Sequence, residues 1–356
     1  MRLPFHGSLS AGLAQIVSPV LCASLLGAQQ AAAPSSARAL SPSARWEVVA
    51  PDAALAWFTV LSEWRIESEG AFPFIVPAPA SRAPTGRDEP LAREIRSHPD
   101  RGVLQFVPLY YPSADRAALA AALRAAAGGN TAPAPRASFL VSALGTAMPR
   151  VARRDQLPRL ATALERVEVV APGAGQLARW QQRLDSLYRP ALASWLALEH
   201  LDGGRLIVAP AIGLEGRLFA ATPDRFDNLV AVGSFATDSE PDAPLFAFVR
   251  EVCFPAVSRA ASAAHLGPGV PGAARRASVA AVRCGAALLD TCLRERAGAY
   301  RGFWIRQAAR VGPMPNRGYV PAGDSELRRE FDRAFPVDSV LEVGTACSLR
   351  RVPGGR

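Results

Sequence analysis

The sequence predicts an α+β domain with a mainly helical first half and a small sheet in its second half. Three observations carry this. Short apolar runs of strand length at 205–209, 217–221 and 228–234 stand close together behind Gly203-Gly204. Longer runs with helical spacing dominate before and after them. Strands and helices therefore segregate along the chain, which argues against a doubly wound parallel sheet.

The elements follow in order. WEVVA at 46–50 reads as a strand, and Asp52 can cap a helix that runs to about Arg65. Residues 73–88 are rich in Pro and Ala and read as loop. A helix near 90–97 precedes VLQFVPLYY at 103–111, which has the composition of a strand. Ser113 or Asp115 starts an Ala-rich helix that stops at Gly128-Gly129-Asn130, and 131–136 is loop. Helices fill 138–201, broken near Met148-Pro149 and at 171–175, with 167–170 as a short strand candidate. After the three strands, Asp242 and Pro244 start a helix that runs to about Ala264. A Gly/Pro loop at 267–273 leads into a long helix over 275–310, then a helix at 325–335 and a strand at 339–343. The organisation expected is one domain over 45–350, helical in 45–201 and sheet-bearing in 202–350.

The N-terminus carries an export signal. Arg2 is the only charge before Arg38, and the run LAQIVSPVLCASLLGA between them is mostly apolar. It is too short and too interrupted for a bilayer span of about 20 residues. A basic start, a short apolar core and small residues form a cleavable signal peptide over 1–37, followed by a linker at 38–44. Cys22 lacks the small residue before it that a lipoprotein signal needs. No later stretch is long and apolar enough to span a membrane. The mature chain, roughly 315 residues long, is expected in the periplasm or outside a bacterial-type cell. Cys253, Cys284, Cys292 and Cys347 then allow three disulfide pairings, or none.

All 40 basic residues are arginine. The absence of lysine excludes Schiff-base, Ser-Lys and P-loop chemistry. A formal charge of +9 matches a GC-rich codon habit, and also attraction to an anionic envelope component. No basic run with interleaved aromatics marks a nucleic-acid groove.

The segment from Arg205 onward is the most informative. Strands lead into the apolar helix LFAFVREVCFPAV at 245–257, whose centre reads Arg250-Glu251-Val252-Cys253-Phe254. This resembles the His-Glu-x-x-His helix of zincin-type metallopeptidases, in which two His hold zinc and the Glu acts as general base. The layout is similar to zincin-like domains of uncharacterised exported bacterial proteins. The resemblance implies a zincin-like second half, with a small sheet, a buried helix and a long helix. It places Glu251 at the catalytic position. Arg250 and Phe254 replace both metal ligands, and neither has a lone pair to offer. No metal or cofactor is therefore expected. Glu215 and Arg217, in a Gly213–Gly216 turn between strands, join Arg250 as residues of a remnant ligand-binding cleft. Gly213 and Gly216 are expected to serve unusual backbone angles. The competing structural reading makes Arg250 and Glu251 a buried ion pair and the 213–217 segment a solvated turn.

Other constellations are weaker. His98, His200 and His265 have no ligand spacing. GPGVPG at 267–272 follows a helix and holds two prolines, so it is a loop and not a phosphate cradle. No G-x-S-x-G elbow is present. The leading expectation is an exported, non-catalytic pseudo-peptidase-like protein that binds an unknown ligand or partner. The alternatives are a hydrolase that uses Glu251 with unrecognised ligands, and an Arg-rich envelope-binding protein.

Overall fold

A computed structural model describes residues 45–66, 73–76, 86, 88–98, 101–110, 115–127, 156–219, 228–234, 240–266, 270–311 and 323–345. The segments expected to form a signal peptide and linker, the expected Gly128-Gly129-Asn130 stop and the expected Met148-Pro149 break lie outside these residues.

The chain is α+β and mostly helical, around a small mixed sheet. Among the described residues the sheet has four strands: β1 (Trp46–Val49), β2 (Gly204–Ala209), β3 (Arg217–Phe219) and β4 (Asn228–Gly233). Their order is β1-β2-β4-β3. β1, β2 and β4 are parallel, and β3 is the antiparallel edge. The predominance of parallel pairing is a finding that segregation along the chain does not suggest. It arises because β1, far away in sequence, pairs with β2 in register from Trp46↔Gly204.

Each face of the sheet builds a separate core, as the two-residue period of a strand requires. Trp46, Val48, Leu206, Val208, Val230 and Val232 point to one side. There they meet α6 (Ala174–Arg183), a π-helical segment (Leu184–Tyr188), α7 (Arg189–Leu198), α8 (Ala243–Ala263), α9 (Ala273–Cys292), α10 (Arg294–Val311) and α11 (Asp324–Ala334). Ile207, Ala209, Leu229 and Ala231 point to the other side. There they meet α1 (Asp52–Glu63), α2 (Glu89–Ser97), the 3-10 segment Arg101–Phe106, α3 (Val107–Tyr110), α4 (Arg116–Ala127) and α5 (Leu157–Arg166). Helices thus cover both faces. Residue 201 is no boundary between the layers, since β1, α6 and α7 belong with second-half elements.

Several expectations need correction. The described part of the 103–111 run, 103–110, is not a strand but the 3-10 segment and α3. Pro108 has no N–H for a ladder, and the Leu104 carbonyl instead accepts from Trp57 Nε1 at 2.7 Å. Residues 167–170 and 339–343 are irregular, and the latter stretch buries Leu341 and packs Val343 against the larger core. The long helix over 275–310 is two helices that meet at Leu293, where φ is −150° and ψ is 61°. Asp52 is the first residue of α1 and not its cap. Its carboxylate accepts from Arg116 at 2.5 and 2.6 Å. Asp242 precedes α8 without capping it by a side-chain bond. Arg183, Arg296 and Tyr188 hold its carboxylate instead.

α8 is the axis of the larger core. Leu245, Phe246, Phe248, Val249, Val252, Cys253 and Val257 are all buried, so every side of its first turns faces protein. Pro255 stands inside it and lacks the N–H that would bond the Glu251 carbonyl. α9 crosses close by at Gly285, where a Cβ would collide with the Tyr300 hydroxyl and approach Val249 Cγ1 at 3.3 Å. That hydroxyl is fixed, because it donates to the Val282 carbonyl at 3.1 Å. Gly285→Ala is therefore expected to destabilise the protein by about 1–3 kcal/mol through overpacking. A fall in the urea unfolding midpoint at constant slope checks this.

Candidate functional site

The four site residues chosen from the sequence meet in one buried cluster. Arg250 and Glu251 come from the middle of α8, and Glu215 and Arg217 from the approach to edge strand β3. Arg250 Nη1 donates to Glu251 Oε1, and Arg250 Nη2 donates to Ser278 Oγ at 2.8 Å. Ser278 Oγ in turn donates to Glu215 Oε1 at 2.5 Å, which lies 3.5 Å from Arg250 Nη2. The second oxygen of Glu215 lies 3.4 Å from Arg217 Nη1. Arg217 also donates to the Gly216 carbonyl at 2.7 Å and to Gln105 Oε1 at 2.9 Å.

Local structure explains the convergence. The 211–215 segment is fastened to 73–76 by Gly213 N–H to the Phe74 carbonyl at 2.6 Å and Leu214 N–H to the Pro73 carbonyl at 3.0 Å. The two glycines serve close approach, not the unusual backbone angles expected. A Cβ on Gly213 would lie 2.5 Å from the Pro73 oxygen, and one on Gly216 would lie 2.7 Å from both Glu251 Cγ and the Ala231 oxygen. That closeness lets the Gly216 N–H donate to Glu251 Oε1 at 3.0 Å.

The cluster is sealed. The side chains of Arg250 and Glu251 are 1% and 3% exposed, and Arg217, at 15%, is the most open member. Two guanidinium groups face two carboxylates, so the formal charges balance. Burial pushes the Glu251 carboxyl up, opposed by Arg250 and Arg217. Burial acts to lower Arg250, but Glu251 and Glu215 more than offset it and hold the guanidinium raised. The Arg250 guanidinium carbon also stands 5.7 Å from the Phe254 ring centre and 6.0 Å from that of Trp304. The two positions that correspond to ligands in the zincin pattern are thus beside one another, occupied by a cation and a ring.

Sequence reasoning missed Ser278 and Gln105. Gln105 carried a signal, as the single polar residue of VLQFV, while Ser278, close behind Arg275-Arg276, carried none. The histidines do not assemble here: His98 ends α2, while His200 and His265 sit in left-handed backbone at φ 58° and 55° after α7 and α8. Among the described residues, no three of His, Cys, Asp and Glu are grouped so as to hold a metal. Cys253 and Cys284 are buried free thiols on α8 and α9, and burial chiefly pushes Cys253 up.

No family model, curated protein or solved structure matches the chain.

The cluster makes a stability test. Arg250→Ala leaves Glu251 and Glu215 buried together without their shared cation, and breaking such a pair costs about 3–5 kcal/mol. Adding Glu251→Gln and Glu215→Gln to Arg250→Met is expected to recover part of that loss. Equilibrium urea unfolding of the single and combined variants measures the coupling.

Proposed function

We propose that this is an exported, non-catalytic protein built on a zincin-like helix and sheet edge, with the catalytic helix converted to an ion-paired core element. The observation that supports it is the Arg250–Glu251 pair, buried against Ser278 and Glu215. A general base needs a carboxylate within reach of the proton it removes. Glu251 Oε1 is engaged by the Arg250 guanidinium and the Gly216 N–H. The guanidinium is a fixed cation beside the first and second ligand positions of the motif. The cluster itself offers little opening for a ligand: Arg250 and Glu251 are sealed, and Arg217, its most open member, is held by Glu215, the Gly216 carbonyl and Gln105.

Export is supported by the N-terminal pattern and by Cys292, which is disulfide-bonded. Such bonds persist in oxidising compartments. The Arg-rich envelope-binding reading draws less support. Arg116, Arg124, Arg183, Arg276 and Arg296 are each engaged by an internal carboxylate.

The hydrolase alternative is separated by metal analysis of the mature chain, purified without chelator or affinity tag. The expected result is below about a tenth of an equivalent of any transition metal, with no peptidase activity that Glu251→Gln abolishes. Near one equivalent of zinc that survives dialysis, with activity lost in Glu251→Gln, would overturn the non-catalytic reading.

The zincin-like geometry has its own test. Arg250→His with Phe254→His restores donors at i and i+4 on α8, with Glu215 placed to complete a His2Glu set. The folded double variant is expected to take up about one equivalent of zinc. A folded double variant that binds none shows that the resemblance stops at the sequence.

A further inference from the structure

A groove of about 430 Å³ opens at the other end of the motif helix. Pro244, in the first turn of α8, lines it, six residues or about 9 Å along the axis from Arg250. It shares no residue with the Arg250 cluster. Its volume falls in the range of about 300–1,000 Å³ usual for small-molecule sites.

Two independent features mark this place. Ser234, at its floor, directly follows β4, so the groove sits outside the carboxyl end of a parallel strand, where open sheets bearing helices on both faces bind ligands. One wall is the junction of α6 with the π-helical segment Leu184–Tyr188. Uninterrupted α-helix is the lower-energy course for such a chain, and π segments are found frequently at functional sites. Here the π segment puts Ser186 on the groove and Tyr188 beneath it.

The wall is fixed from below. Asp242 is fully buried and accepts from Arg183 Nη2 at 2.8 Å, from Tyr188 Oη at 2.7 Å and from Arg296. Trp180 Nε1 donates to the Pro241 carbonyl at 3.0 Å. Arg183 is therefore held in place in the groove wall by Asp242, through Nε and Nη2. Arg179 lies one helical turn earlier, exposed, with no carboxylate partner among the described residues. Gln176 and Gln182 add amide donors and acceptors. Glu240 also lines the groove, with Arg296 at 3.2 Å from its Oε1.

We propose that this groove binds a small hydroxylated carboxylate, with Arg179 and Arg183 on the carboxylate and Gln176, Gln182, Ser186 and Glu240 on the hydroxyls. Arg179 can offer a fork to a planar carboxylate, and Arg183 the N–H groups that Asp242 leaves over. Inorganic phosphate can engage the two arginines but carries no hydroxylated frame for Gln176, Gln182, Ser186 and Glu240. Amide, hydroxyl and carboxylate groups together provide both donors and acceptors, which hydroxyl groups require.

Calorimetric titration of the mature protein with glucuronate, glucose and inorganic phosphate tests this. Glucuronate is expected to bind with a Kd of about 1 mM or lower, and at least about tenfold more tightly than glucose or phosphate. Arg179→Ala, which removes no bond of the Asp242 network, is expected to weaken glucuronate about tenfold and leave the Tm unchanged. The proposal is overturned if glucuronate shows no binding up to about 10 mM. It is equally overturned if phosphate binds as tightly as glucuronate, or if Arg179→Ala binds glucuronate as the parent does. None of these outcomes depends on the zincin-like reading of the distant Arg250 cluster.

Discussion

A guanidinium group removed from water needs an acceptor for its charge and for its N–H groups, and Arg250 imposes that requirement at the centre of the molecule. Its partners come from three places: Glu251 on the same helix, Ser278 on α9, and Glu215 beside the edge strand. Meeting them fixes how closely α9 and the β3 edge approach α8. The glycines follow from this approach. Gly216 is the residue whose missing Cβ lets the strand edge touch the Glu251 side chain. Arg217 extends the same set outward, with its guanidinium carbon 4.3 Å from the Phe74 ring centre and a bond to Gln105. That links the 3-10 segment of the other layer to the cluster. An apolar replacement of similar volume could be as stable. The value of the charged version lies in specifying one arrangement of three elements.

The same physics explains what the sequence could and could not reveal. β2 and β4 were legible because Val, Ile and Leu runs of strand length stand between turn residues, and α8 because its apolar run is too long for a strand. The charged residues of the site were legible because Arg250-Glu251 interrupts that apolar run and Glu215–Arg217 sits between glycines at a strand start. What brings them together was not legible, since Ser278 is one small polar residue on a distant helix. The 103–111 run failed for a different reason. Burial demands apolar residues whatever the backbone does, so Leu104 and Val107 look alike in a strand and in a 3-10 turn. Pro108 was the discriminating residue. At Leu293 no Gly or Pro marks the break between α9 and α10, and local propensity carries no sign of it.

Two regions of α8 thus have opposite character. Around Arg250 the polar groups are largely buried and the charges cancel. At the first turn, Asp242 and Pro241 hold Arg183 and Trp180 as a frame beside open space. Stability of the ion cluster and recognition at the groove can therefore change independently through substitution, because they share a helix and no side chains.

The pairing of β1 with β2 sets the order in which the protein can acquire structure. Trp46 Nε1 donates to the Leu201 carbonyl, 155 positions later. The helices α1 to α5 pack on a surface made by Ile207, Ala209, Leu229 and Ala231, all of which are synthesised after them. Until those strands exist, the first half of the chain holds an apolar layer with nothing to cover it. Closing so long a loop is entropically slow, and parallel pairing at this distance delays folding further. The first half of such a chain can complete its core only once the central strands have been made.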